Sequence, residues 1–166
     1  MPIPTGNAPS DPKRELFRHT LATLAYRGGK TIRDAPAGFA SFQGGEGLRT
    51  PAEILAHIGD LLDWSLSIAQ GEQKWSNSNT LPWDAEVARF FTALKKFDDF
   101  LASSAQVHAP LESLFQGPIA DALTHVGQLG ILRRMAGAPI KGENYYVASI
   151  EPGRVGADQS QPKREF

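Results

Sequence analysis

Asp121 and His125 lie four residues apart in "GPIADALTHVGQLGILRR", residues 117–134, a segment that is otherwise largely apolar. On a helix each residue advances about 100°, so the two side chains lie roughly 40° apart. Gln128 and Leu132 continue the same strip, and Leu129, Leu132 and Met135 surround it, whereas Arg133 and Arg134 point away. The strip therefore faces the core. A second imidazole, His57, stands in the apolar arc Ile54, Leu55, Ile58, Leu61, Leu62 and Trp64, with Glu53 and Asp60 at its polar margin.

Two neutral imidazoles and a carboxylate form a three-ligand set for a divalent ion, leaving positions open for water or substrate. The four-residue spacing lets two ligands on one helix converge on one ion, and bundle interiors hold such sites. Each residue also has a plainer explanation. His57 alone fits a hydrogen-bonded core histidine. Asp121 alone fits a first-turn carboxylate at a helix's positive end, worth roughly 0.3–1 kcal/mol. Their joint placement on core-facing strips is what favours metal. His19 and His108 read as surface residues, and Arg133-Arg134 as a pair of solvated last-turn cations.

Four segments carry the apolar spacing of helices, and none sustains a two-residue alternation. The first runs from about Pro12 to Tyr26, where Gly28 and Gly29 are expected to stop it. A long Gly-, Ala- and Pro-rich loop follows, residues 31–49. Thr50, Pro51 and Glu53 form a capping box that opens a second helix, running to about Gln70. The third runs from Trp83 or Asp84 to about Ser103, with Val87, Phe90, Phe91, Leu94, Phe97 and Leu101 as its stripe. The fourth begins at Gly117-Pro118 and ends at Gly137. Ile119, Leu123 and Val126 give it a second apolar strip, as expected of a central helix or a subunit contact. The predicted fold is all-α: a four-helix bundle with a long loop between helices 1 and 2 and an extended C-terminal tail. Residues 1–150 form the single domain and 151–166 the tail. Tyr145 to Ile150 is the one strand-like run after helix 4, and beyond it the tail is a strap or a frayed end.

With 166 residues, 17 basic against 18 acidic and a net charge of −1, the chain offers no electrostatic footprint for nucleic acid or an anionic membrane. No apolar run approaches the roughly 20 residues that span a bilayer. "MPIPTGNAPSDPKRE" lacks a secretory apolar core, so a cytoplasmic protein is expected. The absence of cysteine removes thiolate ligands and a cysteine nucleophile, so any thiol chemistry must come from a bound small molecule.

"RTPAEILAHIGDLLDW", followed after a third helix by "DALTHVGQLGILRRMAGAP", resembles the DinB-like superfamily of metal-binding four-helix bundles. The likeness covers nearly the whole chain, and the "HxGQ" stretch is its most specific part. It implies a divalent metal on one His of helix 2 and two His of helix 4, matching His57, position 121 and His125. Position 121 is Asp where the family's motif has His. The usual Zn²⁺ or Ni²⁺ is thereby weighed against Mn²⁺ or Fe²⁺. Relatives include bacillithiol S-transferases and a mycothiol-dependent maleylpyruvate isomerase, and members are often homodimers.

Three readings stand at this point. The first is a metal-dependent transferase or hydrolase acting on a small-molecule substrate, with a low-molecular-weight thiol as a candidate cofactor. Here the 31–49 loop, the "GENYY" segment or both close the pocket, and Glu143, Tyr145 and Tyr146 are candidate wall residues. The second is a non-catalytic bundle that binds a small molecule or partner. The third is a dimeric stress-related protein with a vestigial site. No catalytic acid or base can be named from the sequence, and geometry discriminates the readings: Asp121 turned outward removes the metal.

Overall fold

In the computed structural model, which describes residues 11–166, the chain is built from helices, with Glu143 and Glu165 forming an isolated antiparallel bridge. The reading of residues 1–10, that they carry no secretory core, lies outside the described residues. No helix among the described residues is long and apolar enough to cross a membrane.

Asp11 caps the first helix, α1 (Pro12–Ile32), accepting from the Lys13 backbone N–H at 3.0 Å, with Pro12 where its missing donor costs nothing. The helix passes straight through Gly28 and Gly29, the expected stop. Gly28 serves packing instead: a Cβ there would lie 2.7 Å from Cζ of the buried Phe90 ring. A glycine pair reads the same in sequence whether it ends a helix or admits a neighbour.

The second helix, α2 (Pro51–Ala69), starts on the predicted capping box. Thr50 Oγ1 accepts from the Glu53 N–H, and Glu53 Oε2 accepts from the Thr50 N–H at 2.7 Å. The third, α3 (Trp83–Ala102), buries Phe90, Leu94, Phe97 and Leu101 as its stripe requires.

The fourth helical body begins earlier than expected. It comprises α4 (Leu111–Leu114), a π-helical turn (Phe115–Ile119) and α5 (Ala120–Met135), and the junction residues Leu114, Phe115, Ile119 and Ala120 are all right-handed helical. Pro118 does not start the helix. It sits inside the π turn, where a widened register accommodates a residue with no N–H and a ring that crowds the preceding turn.

Around the bundle α1 neighbours α3 and α5, and α2 neighbours the same two, so α1 and α2 lie on a diagonal. That arrangement explains the long connection between them, which must cross the bundle and carries the short 3₁₀ turn Phe39–Ser41 on the way. Phe39 is buried there against Trp83. Phe17, Leu21, Leu24, Ile58, Leu62, Phe97 and Leu129 meet in the shared core.

Two sequence expectations change at the C-terminal end. Arg133 is 6% exposed rather than solvated, and its guanidinium donates to the carbonyls of Thr31, Arg33 and Ala138 at 2.9–3.1 Å. It thus ties the end of α1 to the end of α5, using carbonyls that lack helical partners. Residues 145–150 form no strand, and Tyr145–Val147 is a 3₁₀ turn capped by Asn144. The segment after it is a strap: Val155 enters the core, and Lys30 pairs with Glu143 at 2.7 Å and Glu165 at 3.1 Å. Ile119 and Val126, on the second strip of α5, are buried within one chain, so that strip's apolarity is explained without a partner subunit.

Candidate metal centre

His57 rises from the second turn of α2 and His125 from the second turn of α5, two helices that pack together. Their rings stand edge to face with centroids 4.7 Å apart. Asp121, one turn before His125, reaches toward both: Oδ2 lies 3.7 Å from His57 Nε2, and Oδ1 lies 3.5 Å from His125 Nε2. The three sequence-predicted ligands are therefore brought together, with one donor atom from each inside a 4.8 Å cluster.

The helix-start explanation of Asp121 loses its footing. Because α4, the π turn and α5 run on as one body, Asp121 sits inside helix rather than at a free positive end. It makes no hydrogen bond to any described residue, and its oxygens are directed at the two imidazoles instead. Donors about 2.0–2.2 Å from a tetrahedral ion stand roughly 3.4 Å from one another. The two carboxylate–imidazole separations, each from a different carboxylate oxygen, are near that figure, and one donor atom from each residue lies within 4.8 Å of the others, a set that could hold a divalent cation.

The tautomer of His125 also fits. Its Nδ1 is 2.7 Å from Gln128 Oε1, an atom that can only accept, so Nδ1 carries the proton and Nε2 keeps its lone pair. Gln128 thereby orients the imidazole from the outer side, as second partners of ligating histidines do. For His57, burial holds the pKa below the usual histidine range, with Arg49 and His125 adding to the effect and Asp121 and Asp60 opposing it. Its ring is consequently neutral, the form a metal needs. Side-chain exposure is 19% for His57, 11% for His125 and 48% for Asp121, so the cluster is covered by imidazole and open on the carboxylate side.

Asp60, expected at the polar margin, is buried. It accepts from Arg89 at 2.7 Å and from the Ser78 backbone N–H at 3.1 Å, which fastens the 71–81 loop across α2. That loop brings Trp75 edge-on to Trp64 and His57, with centroids 5.5 and 6.0 Å away. Gly47, Leu48 and Arg49 of the loop between α1 and α2 line a cavity beside His125. The "GENYY" residues do not join it. Glu143 is buried against Tyr26 and Lys30, and Tyr145 lies under the Arg27 guanidinium beside Leu123 and Val126, on the opposite face of α5. Tyr146 is 96% exposed. The predicted surface residues His19 and His108 are exposed.

Sequence reasoning missed Arg49 and Trp75, which arrive on loops and obey no periodicity. Gln128 was on the strip, and its place three residues after His125 was the signal for its role. No family model, curated protein or solved structure matches this chain, so the fold and the centre rest on its own residues.

Proposed function

We propose that the chain is a metal-dependent enzyme of the DinB-like type, a thiol-dependent transferase or a related hydrolase, with a divalent ion held by His57, Asp121 and His125. One observation carries the reading: Asp121, inside a continuous helix and without another partner, turns its oxygens toward two imidazole Nε2 atoms at 3.7 and 3.5 Å. When bound, the ion supplies Lewis acidity that lowers the pKa of a coordinated thiol or water, making a nucleophile at neutral pH. The protein's own contribution is positional. Gln128 fixes the His125 tautomer, burial keeps His57 neutral, and the exposed side of Asp121 leaves room for a small-molecule substrate. Two nitrogens and one carboxylate suit Zn²⁺, Mn²⁺ or Fe²⁺.

The test is a competition titration of the purified chain against a chromophoric chelator, with elemental analysis. The expected result is one divalent ion per chain, with affinity falling at least a hundredfold in His57→Ala and His125→Ala and less in Asp121→Asn. Thiol-transfer and hydrolysis assays of the reconstituted protein, across several low-molecular-weight thiols, then separate the two reaction classes. An ion that binds equally well in all three variants would remove the centre.

A further inference from the structure

Arg14, Arg18, Arg89 and Arg133 are each engaged by carbonyls or carboxylates, whereas Arg49 is exposed and makes no hydrogen bond or ion pair with any described residue. It lies on the last turn of the crossing loop, next to the capping residue Thr50, and it borders two cavities at once. One, of about 190 Å³, lies on the His57 side and is polar, with Asn77, Ser78 and Thr80 in its wall. The other, of about 380 Å³, lies on the His125 side and is walled by Leu48, Ile54, Ile131, Leu132 and Met135. That volume is within the ~300–1,000 Å³ of small-molecule sites.

Leu48, Ile131 and Met135 are 57%, 61% and 52% exposed, a cluster of large apolar side chains facing water at one place. The loop above them is seated closely: a Cβ on Gly44 would lie 2.6 Å from Leu132 Cδ2. Charge completes the picture. Among the described residues Arg49 is the one charged side chain lining the larger cavity, whereas the carboxylates Glu53 and Asp60 line the smaller one.

We propose that the larger cavity binds a small carboxylate with an apolar body, its carboxylate paired with Arg49 beside the His125 side of the centre and its body against Leu48, Ile131 and Met135. A guanidinium is the side chain best matched to a planar carboxylate, and apolar contact supplies the remaining affinity. The proposal rests on the metal reading for one of its two positive charges, and Arg49 is the part that stands without it.

Isothermal calorimetry of the full chain, with and without zinc, tests it with octanoate, hexanoate, 1-octanol and octylamine as probes, zinc affinity being measured on the same samples. The expected order is octanoate at least tenfold tighter than hexanoate, octanol or octylamine, and tighter with zinc than without. Arg49→Ala, which lies outside the core, is expected to weaken octanoate at least tenfold, with Arg49→Lys partly restoring it. Ile131→Gln with Met135→Gln is expected to erase the gain from hexanoate to octanoate. Octanol binding as tightly as octanoate, or an Arg49→Ala variant that binds octanoate unchanged, overturns the proposal even if zinc binds. If zinc does not bind but Arg49-dependent octanoate binding persists, the metal reading fails and the carboxylate site stands.

Discussion

Because Gln128 Oε1 holds the proton-bearing Nδ1 of His125, its removal should be felt at an atom it never touches. Gln128→Leu keeps the three ligands and frees the imidazole to rotate and change tautomer. The expected outcome is a tenfold to hundredfold loss of divalent-ion affinity in a chelator competition, the usual size for losing the outer partner of a ligating histidine. Gln128→Glu should recover most of it, since a carboxylate accepts the same proton. Equal affinity in Gln128→Leu and the parent chain would show that Nδ1 needs no partner. At this scale His57, Asp121 and His125 were legible because helical spacing alone places a residue on a face. Arg133 was not: its last-turn position reads as solvated, and only the arrival of the α1 end beside it gives the guanidinium carbonyls to satisfy.

Helix boundaries divide in the same way. Thr50-Pro51-Glu53 is a local device, complete within four residues, and the structure starts α2 where it stands. Its ionisation gives a pH prediction. Hydrogen bonds from the Thr50 backbone and hydroxyl, with Arg49 nearby, hold the Glu53 carboxyl below the usual carboxylate range. A depressed folded pKa means stability is present above the unfolded value near 4.5 and lost as pH falls through the lower folded one. Glu53→Gln, uncharged at every pH, should therefore lower the melting temperature at neutral pH while changing it little in acid, so that the fall below about pH 5 becomes shallower. Gly28-Gly29, by contrast, takes its meaning from α3, which lies far along the chain. Gly28→Ala drives a methyl into the fixed Phe90 ring, an overpacking cost of about 1–3 kcal/mol that exceeds the gain of about 0.5–1 kcal/mol from replacing a helical glycine. At Gly29 the added Cβ meets Phe91 at an ordinary 3.5 Å, so Gly29→Ala should stabilise by that same gain. Opposite signs at adjacent positions in urea unfolding are the expected result; the same sign at both would mean Phe90 can yield.

The bundle as a whole has two sides, one for the His57–Asp121–His125 cluster and one for the strap. Four apolar stripes announced an all-helical bundle, but no stripe records which helices are diagonal or where a Gly- and Pro-rich tail will settle. The tail settles through charge. Glu143, with no exposed side-chain surface, accepts from the Tyr26 hydroxyl and from Lys30 Nζ, and Lys30 also holds Glu165. Burial, together with the bond to Glu143, holds the Tyr26 phenol well above the usual tyrosine range, so it donates throughout the physiological range. Glu143→Ala leaves Lys30 buried with only the half-exposed Glu165 and strips the phenol of its acceptor. Breaking a buried pair by removing one partner costs about 3–5 kcal/mol, and a loss of that size in chemical denaturation is the expected outcome. Glu165→Ala, at the exposed end of the network, should cost less. Since Tyr145 and its neighbours lie on the face of α5 opposite His125, neither variant should alter divalent-ion affinity under conditions where the chain is folded. A Glu143→Ala chain that keeps its stability would show the strap to be held by Val155 and backbone contacts alone; one that loses ion affinity while folded would show that α5 transmits strain between its two faces.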